Sequence, residues 1–360
     1  MHDDQVLFGN GERHARPIGV VEFMPGDIVA QINVYPMDVR HLEYLLPHQI
    51  RVWADMVDRI VITIDTHRSR SGRYRGTDYD SSLKALRRQI AVAQTQYPKL
   101  EAIEVDYSQK AREDVARYFF NADSIPVKAW DGGPFYAYFF GIYSAQARYV
   151  MHFDGDMMFG GGSKIWMKEA IALLESRPDI MLVSPFPGPP RVDGRIFGHQ
   201  IEDGYQSVLE PGPSLAYRFS HASTRVFLID LERFKSTLGT LPLLASNPLQ
   251  KLKSWILGNP PEAREAEVIL SHVLSTTGLK RIDILGSDPG LWGLHPPYRS
   301  EEFYQRLPEI VRMVELGNVP DGQRGHYDLN DSIINWTDQR AAARWHRRYY
   351  RLLRDRLGIN

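Results

Sequence analysis

At 360 residues, with 43% hydrophobic and 24% charged residues, the chain has the size and balance of an ordinary globular protein with a large core. A net charge of −1 at pH 7 excludes nucleic-acid binding through bulk positive charge. The absence of cysteine excludes disulfide staples, thiolate metal sites and cysteine nucleophiles together.

Residues 1–27 read as a polar leader with no apolar segment of the secretory type, so a cytoplasmic location is expected. No apolar run reaches the ~20 residues of a membrane span. Residues 28–34 form a first strand, stopped by Tyr35-Pro36. Leu42, Leu45, Leu46, Ile50, Trp53 and Val57 recur at helical spacing, and Pro47 among them predicts a regular helix that starts there. Residues 59–64 are a second strand ending on Asp65. The loop 66–78 carries Arg68, Arg70, Arg73 and Arg75 and reads as solvated, with closure over a phosphate as the second option. Residues 82–97 are a helix closed by Pro98, and residues 100–105 a strand ending on Asp106. Two further helices, 110–120 and 134–146, lead to an apolar strand at 149–153.

That strand runs straight into Asp154-Gly155-Asp156. Ionised carboxylates at the end of an apolar strand need water, a partner or a cation. Two of them one residue apart suit a hard divalent ion whose octahedron is completed by phosphate oxygens. The alternation of strands and helices predicts an α/β protein with a mostly parallel central sheet covered by helices, which gathers Asp65, Asp106, Asp154 and Asp156 at the carboxyl ends of its strands.

Beyond the motif, Gly160-Gly161-Gly162-Ser163-Lys164 lacks the spacing of a phosphate loop and reads as a turn. A helix at 165–177, a strand at 180–185, a Pro/Gly-rich loop at 185–194 and a strand at 225–229 follow. A helix at 262–277 is capped by Asn259, led by Pro260-Pro261 and stopped by Gly278. A short strand at 280–285 closes the sheet, and the last 60 residues read as mainly helical. The final helix, 338–357, holds seven arginines with Trp345, Tyr349, Leu352 and Leu353 on one face. It either docks on the domain or makes a peripheral contact with an anionic membrane. The sequons Asn330-Asp331-Ser332 and Asn335-Trp336-Thr337 read as chance in a chain without an export signal.

The stretch from Asp131-Gly132-Gly133-Pro134 through Tyr149-Val150-Met151-His152-Phe153 to Asp154-Gly155-Asp156 resembles the middle of nucleotide-sugar glycosyltransferases of the GT-A fold, especially the family-2 type. Those enzymes have a Gly-rich turn, a helix with a small residue about eight positions in, a short apolar strand and then Asp-x-Asp. Tyr35-Pro36-Met37-Asp38 stands where they have a first-strand turn, and Asp65 where an aspartate contacts the base. The resemblance covers residues 28–300, with a nucleotide-sugar half (28–156) and an acceptor half (157–300), and leaves 301–360 as a helical C-terminal extension. It implies a metal-dependent transferase moving a sugar from a UDP- or GDP-sugar to the hydroxyl of a carbohydrate or small-molecule acceptor. Donor-binding roles fall on Tyr35, Pro36, Asp65, Asp131, Gly132 and Asp154. A Mn²⁺ (or Mg²⁺) falls to Asp154, Asp156 and the late His295, since manganese accepts imidazole better than magnesium does. Glu267 matches the base of an inverting transfer, with Glu265 just before it, although Ala266 splits a pair that is adjacent in the family.

The chemistry explains the residue types. Negative charge develops on the departing diphosphate and needs a cation, while the acceptor hydroxyl needs a base, kept ionised at a helix N-terminus. Three rivals remain at this point. A phosphohydrolase of the haloacid-dehalogenase type would want Thr or Val where Met158 stands. A sugar-nucleotide-forming nucleotidyltransferase would want a Gly-rich loop where Tyr35-Pro36-Met37-Asp38 stands. A non-catalytic sugar-nucleotide-binding protein of the same fold would have no use for the acids.

Overall fold

The structure is a computed structural model that describes residues 27–68, 78–197, 207–212, 214–257 and 263–344. The chain opens as an outward-winding parallel sheet. Strands β1 (Ile28–Val34), β2 (Arg59–Ile64) and β3 (Leu100–Glu104) pair in parallel, and the chain then returns to place β4 (Tyr149–Asp154) on the free side of β1, also parallel. Strand order therefore reverses between β1 and β4, the position at which open α/β sheets hold ligands. In register, Asn33 of β1 faces Asp154 of β4, so both strands end together at that crevice.

The second half adds β5 (Met158–Gly160), β6 (Ile180–Pro187), β7 (Ser207–Leu209), β8 (Ala216–Phe219), β9 (Val226–Asp230), β10 (Lys280–Ile284) and β11 (Trp292–Leu294). The main order is β3-β2-β1-β4-β9-β6-β10-β8-β7. β9 runs antiparallel between β4 and β6, and β10 returns parallel to β6. β11 leaves this path to pair with β5 and β6. The mostly parallel sheet expected from the sequence is present.

Helices α1 (Val39–Trp53), α2 (Tyr79–Gln96), α3 (Gln109–Phe120) and α4 (Tyr136–Ser144) belong to the first half, and α5 (Trp166–Ser176) opens the second. The second holds α6 (Leu231–Thr237), α7 (Pro248–Leu257), α8 (Ala266–Thr277), α9 (Glu301–Glu315) and α10 (Thr337–Ala343). Helix α1 begins at Val39, not at Pro47, which lies in its interior. Leu42, Leu45, Leu46, Ile50 and Trp53 are all buried, and that burial outweighs the one hydrogen bond the proline removes. Helix α4 is buried around most of its surface and rests on the sheet through Gly141. A Cβ there would stand 2.5 Å from Asn33 Oδ1 and 2.9 Å from Thr63 Oγ1, so no side chain fits between helix and sheet.

Two expectations are corrected in the second half. Helix α8 starts at Ala266 and not at residue 262, because Glu265 is extended and serves as its N-cap. Residues 259–261 of the expected cap lie outside the described residues. The described part of the last 60 residues holds helices α9 and α10 with an irregular stretch between them. Gly317 ends the turn after α9 with φ 68, and residues 316–336 follow an irregular path back to the sheet, where they pair with His295. Finally, α10 stops at Ala343 with Arg344 extended. Residues 345–360, which carry most of the expected arginine-rich helix, lie outside the described residues, as does the leader before Asp27.

Candidate functional site

The Asp-Gly-Asp turn is pinned by backbone from two strands and by one buried side chain. The Asp154 N–H donates to the Arg225 carbonyl (2.9 Å) and the Gly155 N–H to the Asn33 carbonyl (3.1 Å). Gln49, buried on α1, donates from Nε2 to the carbonyls of Gly155 (3.1 Å) and Met157 (2.9 Å). Below the turn, His152 Nδ1 lies 2.6 Å from Gln31 Oε1, and Gln31 donates to Thr63 and Asn33. Burial pushes the His152 imidazole down to about 3, so it stays neutral.

The two carboxylates face a basic group of residues. The Arg299 guanidinium donates to Asp156 Oδ2, and His295 Nε2 is 4.0 Å from the same oxygen. Arg225 Nη1 is 3.9 Å from Asp154 Oδ2. Burial and the charge of Asp156 raise the pKa of Asp154. Burial also works against the charge of Asp156, but Arg299, helped by Arg225, more than offsets it and holds this carboxyl well below the usual range. The pair therefore splits. Asp156 is the firmly ionised member.

His295 is delivered by β11, which the structure ties to the same turn. Trp292 of β11 packs flat on Gly160 of β5, where any Cβ would overlap its indole. The His295 N–H donates to the Tyr327 carbonyl and its own carbonyl accepts from Leu329, each at 2.9 Å. That bridge sets Asp328 beside the ring, with Oδ1 2.6 Å from His295 Nδ1. Burial, with the charge of Arg225, lowers the pKa of His295 against the pull of Asp328. A neutral ring that donates from Nδ1 to a carboxylate presents the Nε2 lone pair toward Asp156, the arrangement that orients metal-binding histidines.

Among the described residues no group of three His, Asp or Glu side chains converges closely enough to cage a metal ion, and the Arg299 guanidinium already engages Asp156 Oδ2. The donor set nevertheless fits a divalent cation. Asp156 Oδ1 is buried and accepts no hydrogen bond, a costly position for a charged oxygen unless a cation or donor reaches it. With the oriented imidazole nearby, Asp156 and His295 are the residues able to hold such an ion once Arg299 moves.

Glu267 lies in the first turn of α8 and accepts from the Thr224 N–H (3.2 Å) and hydroxyl (3.4 Å). Thr224 precedes Arg225, so this carboxylate borders the same crevice. Burial, together with the charges of Asp154 and Glu267, raises the pKa of the Tyr138 hydroxyl well above its usual value. Glu265 points instead to Arg264, 3.4 Å away.

Of the expected donor-binding residues, Tyr35, Pro36 and Asp65 sit at the carboxyl ends of β1 and β2. Asp65 closes β2 and is bound by Lys128 (3.0 Å), the Tyr107 hydroxyl (2.6 Å) and the His67 N–H (2.9 Å), so its carboxylate is tied to the protein itself. Tyr35 and Pro36 open a single 3-10 turn, with the Tyr35 N–H donating to Asp38 Oδ2 at 2.7 Å. Asp131 accepts from the Gly133 N–H (2.9 Å), and Gly132 takes φ 89 in the turn before α4. Asp106 is a turn residue, as the sequence reads, accepting from the Ser108 N–H at 2.7 Å. Of the arginine loop, residues 69–77 lie outside the described residues.

Sequence reasoning missed Arg225, Arg299, Asp328 and Lys128. Arg225 opens a strand and Arg299 follows Pro296-Pro297-Tyr298, close enough to His295 in sequence to have been noticed. Asp328 and Lys128 carry no local signal, because only the fold brings them to their partners.

No protein-family model matches the chain, and no curated protein matches it. The solved structures it is similar to include glycosyltransferases. TarS from S. aureus in complex with UDP is 10% identical, with 82% of this chain and 68% of that chain covered and a TM-score of 0.35. In another TarS structure the match spans 56% of that chain. The galactosyltransferase LgtC, with donor and acceptor sugar analogues, is 12% identical over 83% of this chain and 99% of that one, at 0.31. A mycobacterial protein is 12% identical over 82% and 76%, at 0.36. TM-scores this low leave the geometry of the site to carry the functional reading.

Proposed function

We propose that this chain is a metal-dependent glycosyltransferase that moves a sugar from a nucleoside-diphosphate donor to an acceptor hydroxyl. One observation carries the reading: two strand-end carboxylates at the switch point of a parallel sheet, facing two arginines and an oriented neutral imidazole. A divalent cation bound there supplies charge compensation for the departing diphosphate. Asp156 and His295 would hold it, with Asp154 beside them toward the ribose of the donor. Arg225 and Arg299 present planar donor forks that match diphosphate oxygens, and Arg299 exchanges Asp156 for that partner when the donor arrives. Glu267 takes the proton from the acceptor hydroxyl onto its carboxylate, with Thr224 fixing its orientation, and attack from that side inverts the anomeric centre.

The test is a panel of UDP-, GDP- and dTDP-sugars with Mn²⁺. Slow hydrolysis of one donor is expected. Turnover of none, with no metal-dependent nucleotide binding, would leave a non-catalytic protein of this fold, and phosphate release from simple monoesters would favour a phosphohydrolase. Glu267→Gln should cut transfer by about 100-fold or more while sparing donor binding. Normal transfer by that variant removes Glu267 as the base.

A further inference from the structure

Helix α7 is amphipathic in the wrong sense for a protein surface. Its Ser254 is fully buried at 0% exposure, while Leu249, Leu252 and Trp255 stand 60%, 53% and 66% exposed. These three lie within one arc of the helix at spacings of three residues. A helix cut only to cover a core would turn the other way. Lys251 and Lys253 flank the apolar arc on its two sides, and the ten residues of α7 include no acid. Such a helix, with a tryptophan at its edge and lysines able to extend past their own stems, matches the surface of a bilayer rich in anionic headgroups.

The neighbouring surface extends the match. Beside α7 an open hollow of about 550 Å³ is lined by Arg112, Ile125, Pro126, Leu243 and Lys251. Leu243 is another exposed apolar side chain, and Arg112 Nε is buried there without a hydrogen-bond partner. Lys253 Nζ sits 5.7 Å from the centre of the Trp130 ring, and Trp130 immediately precedes the Asp131-Gly132 turn. The helix therefore lies beside the turn that leads into α4. Among the described residues no helix is long and apolar enough to cross a membrane, so the contact is one of lying on the surface. A second copy of the chain is a poorer occupant. Three side chains of at most ~200 Å² each fall short of the ~800 Å² per partner that a stable dimer buries.

We infer that α7 docks the protein on an anionic phospholipid bilayer, with Leu249, Leu252 and Trp255 entering the interface and Lys251 and Lys253 meeting the headgroups. The inference stands whether or not the chain transfers sugar.

The experiment is co-sedimentation of the full chain with vesicles of phosphatidylcholine alone and of phosphatidylcholine mixed with phosphatidylglycerol. Binding is expected to the mixed vesicles and to weaken with salt. Lys251→Gln with Lys253→Gln should reduce it about thirtyfold, and Leu249→Ser, Leu252→Ser and Trp255→Ser together by about tenfold or more. All five side chains are at least partly exposed, so unchanged melting temperatures are expected, and the lysine pair gives an answer should the apolar triple misfold. Absence of binding to either vesicle overturns the inference. So does binding that neither set of substitutions weakens, which would place the contact elsewhere, or self-association through α7 without vesicle binding.

Discussion

The two sides of the crevice are built by different means. On the sheet side, Asp154 and Asp156 are held by main-chain hydrogen bonds from β1 and β9 and by the double grip of Gln49. On the other side, His295, Arg299 and Asp328 come from loops after β11; a short backbone bridge brings the Asp328 segment to His295, and the three side chains are oriented by pairing with one another and with Asp156. A backbone-pinned turn has one arrangement. A guanidinium on a carboxylate has two, with the partner and without it. The fixed side carries the charge, and the adjustable side is where a ligand can trade places with protein.

Substitutions can break or sharpen that contrast. The largest effect is expected at Asp156, the ionised member of the pair. Asp156→Asn should lower donor hydrolysis by about 100- to 1000-fold and abolish its response to Mn²⁺, with the melting temperature little changed. If the metal response survives, the cation is held elsewhere.

Next comes the positioning residue Asp328. Asp328→Asn frees the tautomer of His295 and should weaken Mn²⁺ binding by about 10- to 100-fold, read by calorimetry without donor. Arg299→Ala should move the same measurement the other way, tightening Mn²⁺ binding by about tenfold because the guanidinium no longer occupies Asp156. Opposite signs from two residues on the adjustable side would establish it as a competing set. Equal signs would mean that both serve only to hold the loop.

The fixed side is better probed by stability. Gly141→Val forces a side chain into the contact between α4 and the Asn33–Thr63 row and should cost about 1–3 kcal/mol in chemical denaturation.

The smallest effect concerns the packing of α9 on α1. Hydrogen bonding from His48, joined by Arg51, pulls the carboxyl of Glu315 down to about 2. A depressed carboxyl stabilises the fold fully above its unfolded value and loses that contribution as pH falls through the folded one. The melting temperature of Glu315→Gln should therefore lie below that of the parent near neutral pH and converge with it between about pH 4.5 and pH 2. The stability involved is on the order of 1 kcal/mol, since the side chain is partly solvated.

What was legible in the sequence follows the same division. Strand β4 and its two acids are a local pattern, an apolar run meeting charge, and the alternation before it determines where that strand must lie. The start of α1 was misread because a proline was weighed above the six apolar positions around it, and burial prevailed. The irregular path of residues 316–336 was not foreseen, because the meeting of Asp328 with His295 depends on a contact across 33 positions that no spacing rule encodes. Helix α7 was passed over for another reason. Three of its apolar side chains stand exposed, so the usual expectation of what a helix hides points the wrong way.

The return of residues 316–336 to β11 has a consequence for assembly. The parallel core can close as soon as its strands exist, yet the imidazole that faces Asp156 is not oriented until a segment made much later has come home. During synthesis the chain would thus pass through a stage in which the scaffold stands and the chemistry waits, so that competence is conferred last, by a piece of backbone with almost no regular structure of its own.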